Sequence, residues 1–257
     1  MEFLIAGNTD VGIIKKTNQD SYWVKMLETP CGKMAFGIVC DGMGGLEKGE
    51  LASATLLYAF NEWVEKKLIG VCKSGFSDSV IREQWCAITI EVSNKLMDYG
   101  KKNNIKLGTT LAAILVTQER YYIVNVGDSR IYEITAENGA VQLTKDQTFV
   151  AREIESGRMT PEQAAVDSRR NVLLQCVGAS EQVYPEMFYG VPKKDALYMI
   201  CSDGFRHEIT SGEINSELTP DKLCNYDSML KRSKKLIELN KSRGETDNIT
   251  IAMIRTY

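Results

Sequence analysis

Five aspartates stand at the edges of strand-like runs: Asp20 in NQDS, Asp41 in VCDGMGG, Asp128 in VGDSR, Asp203 in CSDGF and Asp247 in TDNIT. Residues at the ends of strands that are far apart in sequence meet where the strands pair. Five converging carboxylates repel one another and raise each other's pKa unless cations lie between them. Hard divalent cations take oxygen ligands and often keep part of their water. The set therefore predicts a magnesium or manganese centre. Two of the acids are followed directly by glycine, Gly42 and Gly204. Without a Cβ the backbone can turn sharply beside a ligand, and the carbonyl of such a turn can itself be a ligand. Any one Asp-Gly pair alone reads as a tight turn; the ordered set reads as a site. The glycine run GMGG (42–45) raises a nucleotide loop as a rival. It lacks the GxxxxGK[ST] spacing, and no GxGxxG opens the helix behind it, so nucleotide binding is set aside.

The acids need strands to carry them. Runs at 2–9, 20–27, 33–40, 109–117, 120–127, 129–135, 195–202 and 248–256 are short, rich in β-branched or aromatic residues, and bounded by Gly, Asp, Asn or Lys. Helical stripes fall at 49–69 (Leu56, Phe60, Val64, Leu68), at 78–99 (Ile81, Trp85, Ile88, Val92, Leu96, Tyr99, with Gly100 as a stop) and at 220–240 (opened by Pro220, with Leu223, Tyr226 and Leu230 on one face). Strands come in runs and helices in blocks, which predicts an α+β fold with antiparallel sheets. Two stacked sheets with helices outside suit strands that are apolar on one face and mixed on the other. The stretch 144–192 is the least regular, with a short helical piece at 146–156. Such an insert in a compact domain is commonly a lid or binding loop.

The chain of 257 residues is 44% hydrophobic and carries a net charge of -3. It can bury a full core without covalent staples, and it has no overall basic field to draw nucleic acid. The basic run KRSKK (231–235) reads as a solvated helix face. Seven cysteines without a CxxC pair read as reduced thiols. The start lacks a basic region followed by an apolar stretch, and no run is as long as a membrane span. A soluble cytoplasmic protein is expected.

Together the motifs resemble the metal-dependent serine/threonine protein phosphatases, the type 2C or PPM family, in their bacterial form. The matching pieces are NQD (18–20), DGMGG and GELAS (41–53), GTTL (108–111), GDSR (127–130), LTKD (143–146), RNVL with Gly178, CSDG (201–204) and TDNIT (246–250), in family order across nearly the whole chain. The resemblance implies one domain over residues 1–257, a four-layer α-β-β-α sandwich with the site in a cleft at one end, and a flap at about 146–175. It implies that Asp41 bridges two Mn2+ or Mg2+ ions with the Gly42 carbonyl on one of them. Asp203 and Asp247 would hold the other ion. Asp20 would hold metal-associated waters or ligate directly, and Asp128 would share a third, weaker ion with Asp203. Asn248 would hydrogen-bond nearby. Metal-activated water would then hydrolyse phosphoserine or phosphothreonine directly. Phosphorylated proteins would be the substrates, an opposing serine/threonine kinase the natural counterpart, and a monomer the expected state.

The chain departs from the family pattern at several positions. Lys15 stands where an arginine usually grips the phosphate; the charge remains but the planar fork is lost. Leu46 and Gln147 stand where relatives carry histidine. The single histidine, His207, reads as a loop or helix-start residue, so a histidine general acid is not expected. Met43 reads as packing, and Arg130 as a brace for the turn after Asp128. These departures leave open a phosphoprotein-binding module of the same fold, and the acid set alone also suits a hydrolase of small phosphate esters.

Overall fold

The structure is a computed structural model that describes residues 1–43 and 48–257. Gly44, Gly45 and Leu46 lie outside the described residues. In chain order the strands are β1 (Phe3–Asp10), β2 (Ser21–Thr29), β3 (Gly32–Cys40), β4 (Leu111–Val116), β5 (Tyr121–Val126), β6 (Arg130–Thr135), β7 (Gly139–Gln142), β8 (Glu186–Gly190), β9 (Leu197–Cys201) and β10 (Ile249–Thr256). The helices are α1 (Gly49–Lys66), α2 (Leu68–Ser74), α3 (Asp78–Asn103), α4 (Phe149–Glu155), α5 (Pro161–Val166), α6 (Ser211–Leu218) and α7 (Tyr226–Ser242).

Two five-stranded sheets, ordered β1-β10-β9-β6-β7 and β2-β3-β4-β5-β8, are paired antiparallel throughout. Three apolar layers hold the sandwich. Between the sheets lie Val39, Ala112, Ile114, Tyr198, Ile200 and Ile254. Outside the second sheet, Leu56 and Phe60 of α1 and Trp85 and Val92 of α3 pack on Phe36 and Leu115. Outside the first, Met229, Leu236 and Ile237 of α7 pack on Met199 and Ile251. The α-β-β-α order follows from strands that are apolar on both faces, which need cover on both sides.

Some boundaries differ from the sequence reading. The segment expected as one helix over 49–69 breaks at Lys67 into α1 and α2. Gly100 does not stop α3, which runs to Asn103 and ends at Asn104 in the left-handed region (φ 54°). A Cβ at Gly100 would come within 2.8 Å of the Ile105 carbonyl oxygen, so the glycine admits the returning chain. Pro220 opens only a short 3-10 turn; α7 begins at Tyr226 behind an Asn225–Ser228 capping box. Tyr226 is exposed, and the buried face of α7 is Met229, Ser233, Leu236, Ile237 and Asn240. Lys231, Lys234 and Lys235 are exposed, as a solvated face requires.

Candidate metal centre

Strand ends gather the five aspartates. Ser21 pairs with Cys40, so Asp20 and Asp41 sit side by side just beyond the β2–β3 ladder. Cys201 pairs with both Ile251 and Arg130. Continuing that register sets Asp203 between the start of β10, where Asp247 lies, and the turn holding Asp128. Each sheet thus brings its acids to the same edge of the sandwich.

The backbone around these acids is pinned by side chains. The Asp41 N–H donates to Thr110 Oγ1 (3.0 Å), while Thr109 Oγ1 and the Thr110 N–H both donate to the Asp41 carbonyl (2.9 Å each). Thr110 Oγ1 is also 2.7 Å from Ser129 Oγ, which links Asp41 to the Asp128 turn and accounts for the GTTL motif. Asn248 accepts the Gln19 N–H on Oδ1 (2.8 Å) and donates from Nδ2 to the carbonyls of Val11 (2.9 Å) and Thr17 (3.2 Å). One amide therefore ties the 11–19 loop, which carries Lys15, to the start of β10. Both glycines of the Asp-Gly pairs are required by close approach. A Cβ on Gly42 would stand 2.4 Å from the Gln19 carbonyl oxygen, and one on Gly204 would stand 2.3 Å from that of Asn248.

The electrostatics are those of an acid cluster sunk in protein. Burial pushes Asp41 well above the usual carboxylate range, with Asp20, Asp203, Asp128 and Asp247 adding to it. Burial raises Asp20 to about 7, reinforced by Asp203 and Asp247. The nearby hydroxyls of Thr250 and Ser202 pull the other way but offset the cost of burial only in part. Burial also lifts Asp128 to about 7, with Asp203 adding and Arg206 opposing. Both oxygens of Asp20 and Oδ1 of Asp203 are buried and have no hydrogen-bond partner among the described residues. Bare anionic oxygens in such a place are costly unless a cation meets them, and an all-oxygen donor set suits Mg2+ or Mn2+. The residues present fit the ions. Among the described residues no three acidic, cysteine or histidine side chains close into a ready-made cage, in keeping with mutual repulsion and with cations that retain water.

Three protein cations reach the cluster. Lys15 Nζ lies 3.2 Å from Asp247 Oδ1. Arg206 Nη2 lies 3.5 Å from Asp128 Oδ2 and 3.8 Å from Asp146 Oδ2. His207 places Nε2 3.4 Å from Asp203 Oδ2 and Nδ1 3.2 Å from Glu245 Oε2. Burial works against the imidazolium, but the hydrogen bond to Glu245 and the charge of Asp203 outweigh it and raise the His207 pKa. His207 lies in the bend after the 3-10 turn of Asp203, a loop position as the sequence suggested, and from there it faces that acid. Arg206 and Glu245 belong to no local motif, although the charged pair Arg206 and His207 directly after CSDG was a signal; Asp146 ends the LTKD piece (143–146), which gives no hint of its pairing with Arg130 and Arg206.

Arg130 braces as expected, making a two-pronged ion pair with Asp146 (2.8 and 2.6 Å). Met43 packs on Gly108, whose carbonyl accepts the Met43 N–H (3.1 Å). Gln147 is buried, and its Oε1 accepts the Gly127 N–H (2.8 Å). The segment 146–175 carries α4 and α5, both capped by threonine, Thr148 and Thr160. Between it and the acids lies a cleft of about 1570 Å³, with Asp128, Arg206 and Asp247 on one side and Ile154, Val166 and Leu174 on the other.

A cleft of buried carboxylates at one end of a two-sheet sandwich defines a site for divalent cations. Residues 15–245 match the family model described as protein phosphatase 2C, and the chain belongs to that family. It is 28% identical over 249 residues to the protein phosphatase PhpP of Streptococcus pneumoniae, covering 96% of this chain and 94% of that one. The solved serine/threonine phosphatase of S. agalactiae superposes with a TM-score of 0.85 at 26% identity over the full length of both chains. The catalytic domain of the phosphatase PstP in complex with two manganese ions superposes with a TM-score of 0.76 at 25% identity, covering 98% of this chain and 97% of that one.

Proposed function

We propose that residues 1–257 form one metal-dependent protein serine/threonine phosphatase domain acting on phosphorylated proteins. The observation that carries the reading is the set of bare, buried carboxylate oxygens of Asp20 and Asp203 beside Asp41, in a chain of the 2C family. Asp41 and the Gly42 carbonyl, with Asp203 and Asp247, would hold two Mn2+ or Mg2+ ions, and Asp128 is the remaining acid within reach. Bound there, the ions would supply Lewis acidity toward the phosphoryl oxygens and make a water nucleophilic near neutral pH.

The chain's own residues do the rest. Asp20, adjoining Asp41, offers two acceptor oxygens that orient water. Thr109 and Thr110 fix the backbone of Asp41, and Asn248 holds the loop of Lys15 against the site. Lys15, 3.2 Å from Asp247, would be free to meet an anionic phosphoryl oxygen were Asp247 to serve a metal. His207, with carboxylates beside both nitrogens, orients Asp203 and Glu245. An open cleft of about 1570 Å³ under a flap favours a segment of protein over a small ester. All seven cysteines are free thiols, which supports work in the reducing cytoplasm, and no helix among the described residues is long and apolar enough to cross a membrane. The reading further takes the chain as a monomer opposed by a serine/threonine kinase. A phosphothreonine peptide should be hydrolysed with manganese and spared when a chelator is added. Hydrolysis of p-nitrophenyl phosphate without any peptide turnover would point to a small-ester hydrolase, and no turnover of either to a binding module.

A further inference from the structure

We propose that Arg206 is an internal cation that occupies the outer side of the acid cluster at Asp128 and so limits the chain to two tightly held divalent ions. The inference rests on the metal-dependent reading above. Arg206 is anchored to the same turn as Asp203, whose carbonyl accepts its backbone N–H at 2.9 Å. From there Nη2 donates to the Asp128 carbonyl oxygen at 3.0 Å and lies 3.5 Å from the Asp128 carboxylate. The same nitrogen is 3.8 Å from Asp146 Oδ2, and Asp146 is gripped from its other side by Arg130. Asp128, Arg206, Asp146 and Arg130 thus form a row of alternating charge that sums to zero. The row is mostly buried: the Arg206 side chain is 14% exposed and that of Asp128 is 9%.

The acids of the cluster therefore fall into two kinds. Asp20 and Oδ1 of Asp203 have no protein partner among the described residues, so a dication there meets bare charge. Asp128 already has a guanidinium beside it, so a dication there must repel or displace that charge. Lys15 on Asp247 is a different case. Its ammonium is a point charge on a flexible stem that can swing away, whereas the Arg206 guanidinium is fixed by a carbonyl and two carboxylates.

Counting and ranking bound Mn2+ by isothermal titration calorimetry and by electron paramagnetic resonance of the free ion tests this without reference to turnover. Wild type should hold two ions tightly and any third at least about tenfold more weakly than Arg206→Gln, which removes the charge. Arg206→Lys, whose ammonium can swing away as that of Lys15 can, should bind the third ion more tightly than wild type and less tightly than Arg206→Gln. A third ion held as tightly by wild type as by Arg206→Gln would overturn the proposal. If Arg206→Gln fails to fold by circular dichroism, Arg206→Met is titrated in its place: a third ion held at least about tenfold more tightly than in wild type supports the proposal, and an unchanged third affinity overturns it. Wild type that binds no Mn2+ would overturn the metal-dependent reading itself, and the role of Arg206 with it.

Discussion

Lys15 reaches Asp247 at 3.2 Å from a loop that also exposes Ile13 and Ile14. A phosphate dianion drawn to the site would meet this ammonium as a point charge and not as a planar fork. Lys15→Ala is expected to raise KM for a phosphothreonine peptide by about tenfold, the scale of one charge-assisted hydrogen bond at a partly exposed position. Lys15→Arg is expected to lower KM, because a guanidinium can grip two oxygens at once. Steady-state kinetics on both variants checks this, and an unchanged KM in both would remove Lys15 from the phosphate site. The five aspartates could be found from sequence because each is flagged locally by a strand end and a small neighbour. Arg206 and Glu245 could not, because their roles depend on the pairing of β6, β9 and β10, which brings residues 128, 203 and 247 together.

At the scale of elements, one side chain fixes a whole loop to a strand. Asn248 makes three hydrogen bonds to backbone groups of Val11, Thr17 and Gln19. Asn248→Ala leaves those groups without their partner and is expected to cost about 2–4 kcal/mol, since unmet buried polar groups are expensive. Thermal unfolding would measure the loss, and a shift below about 1 °C would mean the loop is held by something else. Most strands could be read from their composition, but two could not. β7 is the four-residue GAVQ, half exposed at a sheet edge, and β8 (EMFYG) sits inside a polar stretch without a clean alternation. Gly100 misled because glycine both ends helices and admits a neighbouring backbone, and only the position of Ile105 tells which applies. The start of α7 was legible in the Asn225–Ser228 capping box, but Pro220 was the stronger local signal.

For the whole molecule, the acid cluster makes stability depend on metal and pH together. Asp20 and Asp128 have folded-state pKa values of about 7 against an ordinary 3.8. Without metal the folded state therefore binds more protons than the unfolded one across that interval, and stability falls as pH rises through it. Asp146 and Glu245 act in the opposite sense. Burial tends to raise both, but ion pairs with Arg130 and His207 prevail and lower them, so their contribution is lost only as pH drops below the ordinary carboxylate range. Chelator-treated protein is expected to melt roughly 5–10 °C lower at about pH 8 than at about pH 5.5, and added manganese should remove most of that difference. A metal-free melting temperature that rises over the same interval would contradict the placement of these acids in a buried, mutually repelling cluster.

The central claim is that Asp41 and Asp203 hold the ions that drive hydrolysis. The most direct measurement is phosphate release from a phosphothreonine peptide, titrated with manganese, for wild type and for Asp41→Asn and Asp203→Asn. Manganese-dependent turnover in wild type and a loss of at least about a thousandfold in each variant are predicted, in line with removing a principal electrostatic element of an active site. Turnover in either variant within a few fold of wild type at the same manganese concentration would contradict the account.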